Sequence, residues 1–366
     1  MITESSSFPM TSRERVVNML DFKGVDKPAL ECDVNSVAIY EHGEKIRDLF
    51  KGCVGDFGEI NDNPYHDEPG SDVFDRDGRM WLPRPGEYDR NGDFLRIFED
   101  DWGVQWRYRI FGVQGIPLKS PLDDWAQAEQ YAFPAVIPDH QFTAIKNQIE
   151  DQKNKGFYVK RGWVNYMERT YSLRNFEDVL ADIALLDDDL LRFTERYHQH
   201  NVALVNRWIE AGADAIQLAD DFGTQSSLLI SPERFRQIYM PYYKELASII
   251  HRAGKHAFYH VCGYVEPLLE DFAEIGFDTI WPQLDVYQLE GFARKCRSLH
   301  LAVAIHPERS ELMTNGRPDD IRREMERYYN IFRPDLGGSW LYLEIDNGFP
   351  YENIVAMVES VREMRK

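Results

Sequence analysis

Apolar residues in the second half of the chain fall into short runs separated by longer stretches of helical period. The runs are GFYVKRGWV (156–164), DAIQLADDFG (214–223), HAFYHVCG (256–263), FDTIWPQL (277–284), LAVAIHP (301–307) and WLYLEID (340–346). Their brevity and their β-branched and aromatic content predict buried strands. Between them, FEDVLADIALL, LLRFTERYHQHNVALVNRWIEAG, EPLLEDFAEIG, LEGFARKCRS, PDDIRREMERYYNIF and YENIVAMVESVREM repeat apolar residues at three- and four-residue spacing, which predicts helices. Another helix opens at SPERF, with Ser231 as N-cap, Pro232 at the first helical position and Glu233 in the first turn. Near the start, Thr11 or Ser12 caps SRERVVNMLDF, and PALECDVN (28–35) reads as a first strand.

Strand and helix alternate at about 30 to 40 residues per unit, the sequence form of repeated βα modules. The fold expected is α/β, a (β/α)8 TIM barrel with an elaborated N-terminal region. A doubly wound open sheet is the alternative, but no GxGxxG follows the first strand. Residues 1–10 are expected to be a flexible tail and 11–366 a single barrel domain. Within it, about 52–135 is rich in Gly, Pro, Asp and aromatics, carries FLRIFEDDW and VQWRYRI, and has no low-complexity flanks. That composition predicts an inserted lid or hairpin region.

A barrel puts its chemistry at the C-terminal ends of the strands. Each apolar run turns polar there: Arg161 followed by Glu168 and Arg169, Asp220 and Asp221, His260 and Cys262, Gln283, His306, Glu344 and Asp346. His260 and Cys262 are two apart on a strand, so both leave the same face. Imidazole plus thiolate suits zinc better than magnesium or calcium, and Glu344, Asp346, His306 or Asp221 can supply a third ligand. The plainer reading of the pair is a packed thiol beside a satisfied histidine. Asp220 and Asp221 also read as an acidic turn before a helix N-terminus, and Glu168 with Arg169 as a loop ion pair. The aromatics of 98–113, among them Trp102, Trp106, Tyr108 and Phe111, wall an organic ligand or form a packed hairpin.

The formal net charge of −20 excludes a nucleic-acid footprint and suits a small ligand or a basic protein partner. Cys32, Cys53, Cys262 and Cys296 have no CxxC spacing, so a disulfide framework is not expected and a reducing cytoplasm is. No apolar run reaches the roughly 18 to 20 residues of a membrane span. MITESSSFPMTSRERVV lacks the layout of a signal peptide.

MTSRERVVNMLDFKGVDKP, DDWGVQW, LADDFGTQSSLLISPERFRQIYMPYYKEL, HVCGYVEPLLEDFAEIGFDTIWPQ and PYENIVAMVESV together resemble the uroporphyrinogen decarboxylase superfamily, in its corrinoid-dependent methyltransferase branch. The resemblance runs from about residue 10 onward and is most specific over 214–283. It implies a TIM barrel. It also implies zinc on a His-x-Cys pair, here His260 and Cys262, with the branch's third cysteine absent and Glu344 and Asp346 in that neighbourhood. The implied activity moves a methyl group between a methoxy or methylamine-type donor and a corrinoid held by a partner protein. On this reading Glu168 and Asp221 are catalytic, and Arg161, Arg169, Asp220, Gln283, His306 and Trp102 bind substrate. The alternatives are a uroporphyrinogen decarboxylase-like lyase, for which no RQAGR-like motif is present, and a non-catalytic tetrapyrrole-binding protein.

Overall fold

The computed structural model describes residues 9–35, 38, 41–51, 55–58, 85–109 and 115–366. The expected tail over 1–8, Cys53, Phe111 and the stretches 52–54 and 59–84 of the expected insertion lie outside these residues. Ten strands are found among them: β1 (Leu30–Val34), β2 (Arg96–Glu99), β3 (Gln105–Tyr108), β4 (Ile116–Lys119), β5 (Lys160–Val164), β6 (Ala215–Ala219), β7 (His256–Val261), β8 (Thr279–Pro282), β9 (Ala302–Ile305) and β10 (Ser339–Ile345). Seven are parallel neighbours in the order β1–β10–β9–β8–β7–β6–β5, with helices between them, and β2–β3–β4 form a separate antiparallel meander. This is a TIM-barrel-like fold, as the alternation predicts.

The sequence leads one to expect eight strands; the described residues give seven. In the gap between β1 and β5 sits the segment 55–58. The Asp56 N–H donates to the Leu30 carbonyl at 2.6 Å, and the Tyr158 N–H donates to the Asp56 carbonyl at 3.0 Å. The buried carboxylate of Asp56 anchors this segment. It accepts from the Leu30 N–H (2.9 Å), Arg15 and Arg365 (2.8 Å).

Period-two alternation divides each strand between two cores. Inside the barrel lie Tyr158, Ala215, Phe258, Ala302, Ala304, Trp340 and Tyr342. Outside, Ile216, Leu218, Val303 and Ile305 pack with the helix layer, while Leu341, Leu343 and Ile345 pack with the C-terminal helix Tyr351–Met364. Burying one such large side chain is worth about 1.5–3 kcal/mol, so a one-residue register slip is heavily penalised. With Phe258 inward on β7, His260 is inward too, and Cys262 follows at the mouth. The capping expectations hold: Thr11 forms a capping box with Glu14, and Ser231 accepts from the Arg234 N–H ahead of Pro232.

Candidate metal centre at the barrel mouth

Three donor atoms meet where β6 and β7 end. Cys262 Sγ lies 3.4 Å from His260 Nε2, and His260 Nε2 lies 3.8 Å from Asp221 Oδ1. All three lie within 4.8 Å of one another. Backbone contacts hold the two strand ends in line. The Asp220 N–H donates to the His260 carbonyl (3.2 Å), the Cys262 N–H to Asp221 Oδ1 (3.0 Å), and the Tyr264 N–H to the Thr224 carbonyl (2.7 Å). Gly223 is required there, because a Cβ on it would come within 2.6 Å of Gly263 and Tyr264 backbone atoms.

Burial sets the protonation states. It drives the His260 imidazole down to about 3, helped by the charges of Arg309, His306 and Lys160. It drives the Cys262 thiol up to about 12, with Asp221 adding to the effect. Asp221 is itself raised, burial outweighing the hydrogen bonds from Cys262. A neutral imidazole whose Nε2 faces the thiol is ready to ligate. The thiol lacks only a counter-charge to become thiolate. One N, one S and one O donor at a strand-end rim therefore fit a borderline dication such as zinc, with a coordination position left for substrate.

Beside the triad, Glu168 opens the helix Met167–Leu173. Its carboxyl accepts from Asn165 Nδ2 at 3.0 Å and from the Trp163 side chain, and burial first, then the charge of Asp221, raises its pKa. Asp220 sets this helix. It is fully buried, and its two oxygens accept from the N–H groups of Tyr166 (2.8 Å), Met167 (2.9 Å) and Glu168 (2.8 Å) and from the Tyr243 hydroxyl (2.7 Å). These bonds position Glu168, whereas the sequence leads one to expect Asp220 against substrate.

Glu344 and Asp346 are not brought to the His–Cys pair. Arg309 takes Glu344 Oε1 at 2.6 Å and lies 3.8 Å from Asp346, which also accepts from Asn35 (3.1 Å). Burial, with the charges of Asp33 and Asp346, lifts Glu344 to about 7 against the pull of Arg309. His306 turns its two ring nitrogens to the Pro307 and Pro282 carbonyls (3.1 and 3.0 Å), tying β9 to β8. Gln283 bonds Gln225 at 3.0 Å and joins the loops after β6 and β8. Arg161 leaves β5 on the face opposite Lys160 and donates to the Lys160 carbonyl. Arg169 stacks 4.5 Å over Trp102 and lies 3.7 Å from Asp100, so both residues fasten the meander. Trp102 packs among Phe133, Tyr197 and His200.

The family model described as uroporphyrinogen decarboxylase (URO-D) matches residues 164–364. The chain belongs to the uroporphyrinogen decarboxylase family. The matched span of this family member runs from the end of β5 to the last helix and contains Glu168, Asp221, His260 and Cys262. Two curated relatives from Methanosarcina barkeri, one of them from strain Fusaro / DSM 804, carry the name methylcobamide:CoM methyltransferase MtaA. Each is 32% identical over 79 residues, 22% of this chain and 22% of the relative. The match thus spans about a fifth of the length of those relatives. A solved methyltransferase from Methanosarcina mazei superposes with a TM-score of 0.61 at 17% identity, over 97% of this chain and 99% of its own, which establishes likeness of fold.

Sequence reasoning missed three residues of this family member's mouth. Trp163 sits beside the His260 ring (5.2 Å between centroids), Trp281 touches it from within (4.1 Å), and Arg309 clamps the last strand's acids. Arg309 lies in a loop without periodic signal. The Gly-Trp pair in KRGWV was the available cue for Trp163, since glycine inside a strand marks a bulge.

Proposed function

We propose that the chain is a methyltransferase that takes a methyl group from a small donor, a methyl ether in the simplest case, and passes it to a corrinoid carried by a partner protein. The carrying observation is the convergence of Asp221, His260 and Cys262 at the mouth of a uroporphyrinogen decarboxylase family barrel. The short match to methylcobamide-using relatives supports the choice of acceptor. Asp221, His260 and Cys262 would hold zinc, which when bound supplies a Lewis acid that polarises the donor oxygen.

The chain's own residues supply the rest. Breaking the O–CH3 bond leaves the electron pair on oxygen and sends the methyl carbon to cobalt(I). Glu168, whose pKa is raised by burial and by the charge of Asp221, is the acid placed to deliver a proton to that oxygen. Asn165 and Trp163 fix its carboxyl, and Asp220 fixes the helix that carries it. Positioning the donor at the rim contributes several kcal/mol of barrier reduction, on the order of what intramolecular reactions gain.

The test pairs metal analysis with a transfer assay to cob(I)alamin using methoxylated aromatics and methylamines. The expected result is about one zinc per chain, lost together with methyl transfer in Cys262→Ala. Unchanged metal content and transfer in that variant, or decarboxylation of uroporphyrinogen without methyl transfer, would overturn the proposal.

A further inference from the structure

Trp163 stands apart among the large apolar side chains of the seven parallel strands: it is 47% exposed. The backbone puts it there. In β5, Arg161 pairs with Ile216 and Val164 with Leu218, so one extra residue is accommodated between the two rungs. Gly162 takes φ +98°, and a Cβ on it would press at 3.4 Å on both Ile216 and Trp208. This glycine bulge turns the following indole over the mouth. Its ring lies 5.2 Å from the His260 ring at 37°, and 6.2 Å from Trp281 at 78°. Trp281 continues the wall inward to Tyr342, 4.8 Å away. Two indoles set nearly at right angles form a corner above a metal-ligating imidazole.

We infer that this corner is the subsite for the donor's leaving group and that it selects an uncharged, planar aryl group. The inference rests on the methyl-donor reading above and adds the substrate class. Planarity follows from the geometry: one ring face lies against Trp163 and an edge meets Trp281, the two favoured arrangements of aromatic pairs. Neutrality follows from the charges. The cations facing the mouth among the described residues are held by carboxylates, Lys160 by Glu31 (2.6 Å) and Arg309 by Glu344. Asp33 and Asp346 stand beside Glu344, so a carboxylate on the donor meets no open cationic partner there. A cationic group gains no counter-charge from the triad, because Asp221 and the Cys262 thiolate would be balanced by the dication they hold.

Calorimetric titration of the purified protein with 4-methoxyphenol, 4-methoxybenzoate and phenyltrimethylammonium tests this without any methyl transfer. 4-Methoxyphenol should bind saturably, and the two charged analogues about tenfold or more weaker. Trp163→Phe should keep binding within about threefold, while Trp163→Ala and Trp163→Leu, the latter keeping apolar bulk if the former fails to fold, should each lose about tenfold. Undiminished binding to the Ala or Leu variant, or preference for either charged analogue, overturns the inference. A chain that binds 4-methoxyphenol through Trp163 yet transfers no methyl group keeps the inference and loses the proposed function. Methyl transfer from donors whose binding is indifferent to Trp163 does the reverse.

Discussion

Cys262 and His260 approach ligation from opposite sides. The imidazole, held down to about 3, is neutral throughout the physiological range and gives up no proton on binding a cation. The thiol, held up to about 12, must give up one. Linkage then fixes the sign: metal affinity rises with pH, by about tenfold per unit between roughly pH 7 and 9, the slope for one displaced proton. Competition against a chelator at several pH values measures that slope, and a flat dependence would mean that Cys262 is not a ligand. Asp220 makes a different demand. Burial lifts it to about 7, with Glu168 adding to the lift, yet three N–H groups and a hydroxyl all point at its two oxygens. Asp220→Asn aims an amide NH2 at backbone N–H groups of the helix start, while the Tyr243 hydroxyl keeps the Ala219 carbonyl (3.0 Å) as acceptor. The expected loss is about 2–4 kcal/mol in urea unfolding, accompanied by a shifted pH profile for activity as Glu168 moves. An Asn variant of wild-type stability and profile would remove Asp220 as the positioning residue.

The site is made by strand ends, and their alignment depends on loops packed without side chains between them. Gly223 and Gly263 lie backbone to backbone across the turns after β6 and β7. Gly223→Ala forces those turns apart, at about 1–3 kcal/mol for an overpacked contact. Because Asp221 and Cys262 flank the contact, zinc affinity should fall further than global stability does. Chelator competition and thermal unfolding on the same sample read the two effects, and a parallel small change in both would contradict the argument. This element-level logic also explains what was legible beforehand. Period-two runs gave every strand that carries the site, and strand direction gave the face of His260 and Cys262. What alternation cannot give is a partner across space. It offered several strand-end acids for the third donor and could not choose Asp221, since the choice depends on neighbouring strands being in register. It left the aromatics around Trp102 open between a ligand wall and a packed hairpin, and it could not point to Trp163, which the bulge at Gly162 sets beside the His260 ring.

At the scale of the whole molecule, closure and chemistry sit at opposite ends of the barrel. The periodicity predicted a closed cylinder, and it could not reveal that the segment 55–58 stands between β1 and β5, because the segment carries no strand pattern. Asp56 holds that position through a buried carboxylate that joins three distant parts of the chain: Arg15 of the first helix, the start of β1 and Arg365 at the C-terminus. Removing one partner of a buried charge cluster strands the others, which costs more than the contact itself contributes. Asp56→Ala takes a buried carboxylate from two guanidinium groups, leaving Arg15 to Asp26 and the Met10 carbonyl. The expected loss is about 3–5 kcal/mol in denaturant midpoint terms. Arg365→Ala, which leaves the carboxylate paired to Arg15, should cost less, and the double variant should cost less than the sum of the two because the residues share one network. Chemical unfolding of the four proteins closes that cycle. Zinc affinity measured on the folded fraction should not change, since Asp56 bonds the N-terminal ends of β1 and the β5 approach while the triad lies beyond the C-terminal ends of β6 and β7. If metal affinity falls in step with stability, the two ends of the barrel are coupled and the division proposed between a closing end and a reacting end fails.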